Sequence, residues 1–141
     1  MNLNKLPLAL LAICMLTWFG CGSENDGRLS VSGTVTLDGS PLSEGSVVFS
    51  DESGGSAGVG ILTDGNFSLA EAGNSEGIQP GNYKVSVNSW IVEPGSVDEA
   101  GEIVDAGESR IPKKYNDPKT SGLTATVSPE SRVFAFDLQS K

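Results

Sequence analysis

Few residues in this chain are of the types that do chemistry. It has 141 residues and no histidine, which is the usual base near neutral pH and a common zinc ligand. The stretch Gly54-Gly-Ser-Ala-Gly58 matches the Gly-x-Ser-x-Gly nucleophile motif, but that motif needs a histidine partner and a helix after the serine. We therefore predict no catalytic residue, no metal ligand and no cofactor.

Both cysteines lie near the N-terminus, in a segment that predicts export. Lys5 precedes an apolar stretch from Leu6 to Phe19. That stretch is shorter than the roughly 20 residues of a spanning helix but is typical of a signal peptide. Residues 1–20 are the predicted signal peptide, and Cys14 would be removed with it. Cys21 would then be the only cysteine of the exported chain, without a disulfide partner.

Residues 20–23, Gly-Cys-Gly-Ser, resemble the lipobox of bacterial lipoproteins. In that motif a small residue precedes a cysteine that takes a diacylglycerol thioether. Gly20 and Cys21 match, and Trp18 stands where an aliphatic residue is usual. The resemblance implies a lipid on Cys21, anchorage to a bacterial membrane and a location facing the periplasm or the exterior. Residues 21–28 are the predicted tether; an uncleaved anchor and a plain secreted chain are the alternatives.

The charge of the chain disfavours nucleic acid as a partner. Its net charge is −9 and its pI is about 4.3, whereas phosphate backbones bind basic surfaces. Residues 91–109 contain six acids and no lysine or arginine, and we predict a long excursion between two strands there. The acids could ligate calcium, could pair in a carboxylate-dependent hydrolase, or could form a solvated acidic loop.

Basic and aromatic residues near this excursion suggest a binding surface. Arg110, Lys113, Lys114 and Lys119 follow the acids closely, and they form either a patch for an acidic partner or a stretch neutralised by the acids. Trp90 is either a platform for sugar stacking or the edge of the core. The candidate ligand-binding residues are Trp90, Lys113, Lys114 and Tyr115.

Alternating apolar residues predict seven short strands after the tether. They lie at residues 29–37, 46–50, 59–63, 66–69, 82–90, 123–127 and 134–138. Val59, Ile61 and Thr63 mark the third strand. Asp38-Gly39 and Asp64-Gly65 predict turns, and Gly33 in mid-strand predicts a bulge or the close approach of another backbone. We expect Tyr83, Val85, Val87, Phe134 and Phe136 to share one core.

Three stretches, in this order, resemble the carboxypeptidase regulatory-like domain, which is a transthyretin-like module. They are Val31-Ser-Gly-Thr-Val-Thr-Leu-Asp-Gly-Ser-Pro-Leu42, Thr63-Asp-Gly-Asn-Phe67 and Ile78-Gln-Pro-Gly-Asn-Tyr-Lys-Val85. Residues 111–117 and 120–127 further resemble small bacterial envelope lipoproteins that carry this domain alone. The resemblance implies an all-β, seven-stranded Greek-key β-sandwich over residues 29–141. The transthyretin-like hydrolases rely on histidines, so their activity is not carried over.

The function expected from these features is that of a non-catalytic, lipid-anchored cell-envelope protein that binds or spaces other envelope components. Its partners would be the membrane, through Cys21, and envelope proteins or glycans. Two alternatives stay open: a carbohydrate-binding module that uses Trp90 and Tyr115, and a hydrolase that uses carboxylates alone.

Overall fold

The computed structural model describes residues 27–70 and 77–141, which form an all-β fold. The seven longer strands are β1 (Ser32–Leu37), β3 (Glu44–Ser50), β4 (Ser56–Thr63), β5 (Asn66–Ala70), β6 (Gly81–Asn88), β9 (Leu123–Val127) and β10 (Val133–Leu138). Three short strands, β2 (Ser40–Pro41), β7 (Trp90–Val92) and β8 (Glu108–Ser109), accompany them, together with a 3₁₀ turn at Lys113–Asn116. The all-β prediction is confirmed. The predicted signal peptide, Cys21 and the tether up to residue 26 lie outside the described residues.

The longer strands share one sheet in the order β10-β1-β5-β4-β3-β6-β9, and β2 pairs with β1. Neighbouring strands are antiparallel except β1 and β10, which run parallel with Val35 opposite Phe136. The first and the last long strands of the described chain therefore lie side by side.

Aromatic contacts show that this sheet curls back on itself. Strands β3 and β10 are four places apart in the order, which would separate them by about 19 Å in a flat sheet with strands ~4.8 Å apart. Yet the ring of Phe49 on β3 lies 5.9 Å from that of Phe134 and 6.2 Å from that of Phe136, between centroids. The curled sheet thus encloses a core between its two halves.

The core contains the residues that alternation predicts. Tyr83, Val85, Val87 and Phe136 are buried in one cluster, and Phe134 packs against it partly buried. The predicted shared core is confirmed. Phe49 is fully buried at its centre and also contacts the rings of Phe67 and Tyr83.

Glycine and aspartate behave at the turns as predicted. Asp64 and Gly65 have φ values of 50° and 81°, and this left-handed conformation connects β4 to β5 in a tight hairpin. At Gly33 a Cβ atom would lie 2.0 Å from the carbonyl oxygen of Phe134. The predicted close approach of another backbone at Gly33 is therefore confirmed, and the approaching strand is β10.

The bounds of several strands differ from the predicted ones, most clearly at the end of β6. The strand expected to run to Trp90 ends at Asn88, because Ser89 turns inward, fully buried, and its hydroxyl donates to the Glu44 carbonyl at 2.7 Å. Trp90 then begins β7 in a separate two-stranded sheet with β8. Within β4, Leu62 is the buried residue, whereas Ile61 is 69% exposed. Val59, Ile61 and Thr63 therefore mark the outer face of that strand.

The acidic excursion is an extended hairpin rather than an irregular loop. Trp90 pairs with Ser109 at its stem, and Val97 bridges to Ile103 near its tip. At the tip, one carboxylate oxygen of Asp98 accepts hydrogen bonds from the amides of Ala100 and Glu102, each at 2.9 Å. The hairpin is held by these contacts within itself, and none of residues 91–107 belongs to the core.

The sheet register defines two ends of the fold. Strand β1 begins at Ser32, opposite Ser68 near the end of β5, and Leu29 bridges to Ile78 just before it. This end is called the entry pole, and Ser50 and Gly81 also lie there. The opposite pole contains Glu44 and Asn88, at the other ends of β3 and β6. An eight-residue strand such as β6 separates the two poles by about 23 Å, at ~3.3 Å per residue.

Candidate functional site

A groove lies at the opposite pole, on the outer face of the sheet. Ile61 on β4, Ser46 on β3 and Asn88 on β6 are register partners across three strands, and they share that face. The middle residue of the row is the smallest, so the row forms a trough between Ile61 and Asn88. Ser46 and Asn88 are both half-buried, so two polar residues of this row are accessible from solvent.

Gly45, next to Ser46 in the lining of the groove, lies where β3 and β6 approach closely. A Cβ atom at Gly45 would lie 2.2 Å from the carbonyl oxygen of Asn88. The backbones of β3 and β6 can therefore approach here only because the side chain is absent. The φ of Gly45, +143°, is also one that other residues rarely adopt.

Apolar side chains form the walls of the groove. Trp90 and Ile91 on β7 line the groove together with Ile61 on β4, and Ile91 and Ile61 are 53% and 69% exposed respectively. Trp90 is half-buried. The groove has a volume of about 650 Å³, and its lining residues are Glu44, Gly45, Ser46, Ile61, Asn88, Trp90, Ile91, Glu93 and Arg110. An exposed apolar wall around a polar floor is typical of a binding site.

Arg110 holds a defined position at one end of the groove. Its Nε donates to the carbonyl of Trp90 at 3.1 Å, and its Nη2 pairs with a carboxylate oxygen of Glu44. Both partners of the ion pair are solvent-accessible, with side chains 38% and 62% exposed. The pair adds little to stability at such exposure, but with the bond to Trp90 it fixes the position of a guanidinium that lines the groove. With Glu93, the charged residues of the lining carry a net charge of −1.

The structure corrects the predicted role of Tyr115. This residue belongs to the core at 6% exposure, and its hydroxyl accepts a hydrogen bond from the Gln139 amide at 3.0 Å. Lys114 lies over the ring, with Nζ 4.8 Å from its centroid. The 3₁₀ turn directs Tyr115 inward, where its side chain packs in the core near β6 and the end of β10. The prediction of a stacking surface shared by Trp90 and Tyr115 is therefore wrong.

The other predicted basic residues lie apart from the groove. Lys113 and Lys114 are exposed on the 3₁₀ turn, and neither lines the groove. Among the predicted ligand-binding residues, only Trp90 lies in it. Cys21, the predicted lipidation site, falls outside the described residues.

The six acids of the excursion are all exposed. Within residues 27–70 and 77–141, no group of three or more histidine, cysteine or acidic side chains is placed to hold a metal ion. Asp98 uses its carboxylate to close the hairpin tip, and Glu93 is the one acid of this hairpin that lines the groove.

The Gly-x-Ser-x-Gly match begins in the turn before β4 and continues into that strand. Asp51 accepts a hydrogen bond from the hydroxyl of Ser53 at 2.5 Å and one from the amide of Gly55 at 2.9 Å. These two bonds, the hydroxyl bond first, lower the pKa of the Asp51 carboxyl. Ser56 is exposed at the first position of the strand. A strand follows the serine where a nucleophile elbow has a helix.

Most of the groove could not be found from local sequence. Glu44, Ser46, Ile61 and Asn88 come from three strands, and only the register brings them together. The one local signal was the pair of apolar residues Trp90 and Ile91 at the start of an acidic stretch.

Comparison of the chain with protein-family models, with curated proteins and with solved structures yields no match. In the part of the chain that the structure describes, no helix has the length and apolar character that crossing a membrane requires.

Proposed function

We propose that this protein is a non-catalytic, lipid-anchored module of a bacterial cell envelope that binds or spaces other envelope components. The observation that carries the proposal is the placement of the groove. The chain enters the sheet at Leu29, at the entry pole, whereas the groove lies about 23 Å away at the opposite pole. A lipid on Cys21, eight residues before Leu29, would hold the entry pole toward the membrane and leave the groove facing away from it.

The strand order supports the resemblance to the carboxypeptidase regulatory-like domain. Strands β3, β4 and β5 follow one another as antiparallel neighbours, and β6 returns to lie beside β3. A fourth strand beside the first of three is the arrangement of a Greek key. Domains of this kind are mostly accessory or scaffold modules, which agrees with a binding role.

A carboxylate-dependent hydrolase is the rival function, because Glu44 and Glu93 line the same groove as Trp90. Glycoside hydrolysis needs one carboxyl that stays protonated near neutral pH, and an apolar, water-poor environment provides this. Both glutamates are exposed, and Glu44 is paired with Arg110. The geometry therefore favours binding over hydrolysis.

The anchor is tested by metabolic labelling of cells with a clickable fatty acid. We expect label on the wild-type protein and none on Cys21→Ala. An unlabelled wild type, or label that persists in Cys21→Ala, would contradict lipidation at this residue.

The binding role is tested by capture from solubilised envelopes with the full chain as bait. We expect Trp90→Ala to lose the captured component and Ile103→Ala to keep it, since Ile103 is 68% exposed on the hairpin tip outside the groove lining. Equal capture by both variants would remove the groove from the proposal.

A further inference from the structure

We propose that the groove binds a sugar ring of a neutral oligosaccharide. This inference rests on the proposed function and names the ligand class of the same site.

The apolar part of the lining suits the face of a pyranose ring. Trp90 is the aromatic residue of the lining, and the C–H groups of a sugar pack on rings of this kind; Ile61 and Ile91 are the other large apolar residues of the lining. The volume of about 650 Å³ lies within the roughly 300–1,000 Å³ that is usual for small-ligand sites. Because Tyr115 is in the core, stacking relies on Trp90 alone.

The polar groups that the groove offers are side chains, not backbone. Strand β3, which forms the floor, is paired with β4 on one edge and with β6 on the other. Its amides and carbonyls are therefore committed to the sheet, and a peptide cannot add here as a further strand. What remains is the Ser46 hydroxyl, the Asn88 amide, two carboxylates and a guanidinium. These donors and acceptors match the hydroxyl groups of a sugar.

The charge of the groove lining and of the whole chain favours a neutral ligand. The lining carries two acids against one base, and the whole chain has a net charge of −9, so anionic ligands are repelled. A cationic ligand would have to compete for Glu44 with Arg110, which already pairs with it. A hydroxylated, uncharged ligand meets neither obstacle.

The experiment uses the full chain in detergent with the substitution Trp18→Phe, which leaves Trp90 as the only tryptophan. Its emission is followed during titration with chitotetraose, cellotetraose or maltotetraose. We expect a saturable change with at least one of these neutral probes. Calorimetry with the same probe measures affinity for variants that lack the reporter.

Two variants locate the binding. Ser46→Val fills the floor with a residue that suits a strand, and Trp90→Ala removes the platform. We expect each to weaken affinity at least tenfold. The matched control is Thr34→Val, an exposed strand position on β1 outside the groove lining, which should leave affinity unchanged. Circular dichroism of every variant verifies the fold.

Four outcomes would overturn the inference. They are the absence of saturable binding by all three probes, unchanged affinity in Ser46→Val and Trp90→Ala, tighter binding of a heparin tetrasaccharide than of any neutral probe, and release of reducing ends during incubation. If the neutral probes fail while envelope capture stays dependent on Trp90, the ligand class is wrong and the binding module stands. If both fail, the proposed function fails as well.

Discussion

At the scale of single residues, small side chains decide where strands and ligands can approach. Gly33 lets β10 lie against β1, and Gly45 lets β3 meet the end of β6. Ser46 leaves space above the sheet where a larger residue would fill it. These positions explain features that the apolar alternation alone does not show.

Gly33→Ala tests the close approach of β10. The added Cβ would meet the Phe134 carbonyl oxygen at 2.0 Å and the Phe67 ring at 2.8 Å, so strand and ring must move. We expect a loss of about 1–3 kcal/mol in the free energy of unfolding. Gly81→Ala is the control, because its nearest neighbour is a Tyr83 atom at 3.6 Å. Urea denaturation measures both, and equal stability of the two variants would contradict the packing at Gly33.

Tyr83 predicts how stability responds to alkaline pH. Burial, with a smaller contribution from the charge of Asp51, raises the pKa of its phenol above the ordinary 10.0. A group whose pKa is higher in the folded state stabilises the fold fully below its unfolded pKa and loses that contribution as pH rises through the folded value. The folded domain should therefore lose stability above pH 10.

Tyr83→Phe isolates this effect. At pH 7 the variant should be about 0.5–1.5 kcal/mol less stable, because it lacks the hydrogen bond that the hydroxyl donates to the Gln79 carbonyl at 2.7 Å. Above pH 10 the difference between wild type and variant should shrink. Denaturation at pH 7, 9, 10.5 and 11.5 checks this, and a constant difference across the series would show that the phenol does not titrate as described.

At the scale of elements, the strands around Phe49 and the acidic hairpin contribute unequally to the stability of the fold. The rings of Phe67, Tyr83, Phe134 and Phe136 all lie within 6.3 Å of that of Phe49, between centroids. The hairpin instead exposes Val97 and Ile103, at 65% and 68%. Stability should therefore reside in the curled sheet.

Replacing Pro94–Gly107 by an Asn-Gly turn tests this division. The stem pairs Trp90 with Ser109 and Val92 with Glu108, and the resulting three-residue loop, Glu93-Asn-Gly with glycine last, can close it. We expect the free energy of unfolding to change by less than about 1 kcal/mol, since closure entropy varies slowly with length. Phe136→Ala should cost about 3–5 kcal/mol. Chemical denaturation compares them, and the reverse order would place the excursion in the core.

At the scale of the whole molecule, the parallel pair β1–β10 joins the two ends of the described fold. Every residue from Ser32 to Leu37 has a partner between Val133 and Leu138. This pairing spans nearly the full domain in sequence, and such long-range contacts form slowly during folding. The domain has no cysteine among its described residues, so strand pairing and the core must hold these ends together.

Removal of Val133–Lys141 should unfold the domain. The truncation deletes Phe134, Phe136 and Leu138 from the core, and each such loss costs about 2–5 kcal/mol, against a total stability of about 5–15 kcal/mol. Far-UV circular dichroism and amide NMR dispersion report the result. Removal of Lys141 alone is the control and should be neutral. A cooperative unfolding transition in the longer truncation would contradict the role of β10.

The sequence by itself determined the seven longer strands, their two tight turns and five residues that share the core. These features depend on neighbours two residues apart or on a single Asp-Gly step, and such short-range patterns survive any tertiary arrangement. Apolar alternation does not reveal which face of β4 is buried, because the inward positions include Gly58 and Gly60, which carry no apolar side chain. Gly60 instead leaves room for Phe67 and Leu69, so Ile61 was the more visible residue although it faces solvent.

Only the tertiary structure decided where the groove lies. It also decided that Trp90 lies outside β6 and lines the groove, and that Tyr115 is buried. Register between β3, β4 and β6 brings Ser46, Ile61 and Asn88 into one row, although they are up to 42 positions apart in the chain. The curled sheet encloses the core, and Tyr115 on the 3₁₀ turn is one of the residues buried in that core. Both outcomes follow from pairings between distant strands, and no local pattern of residue types carries that information.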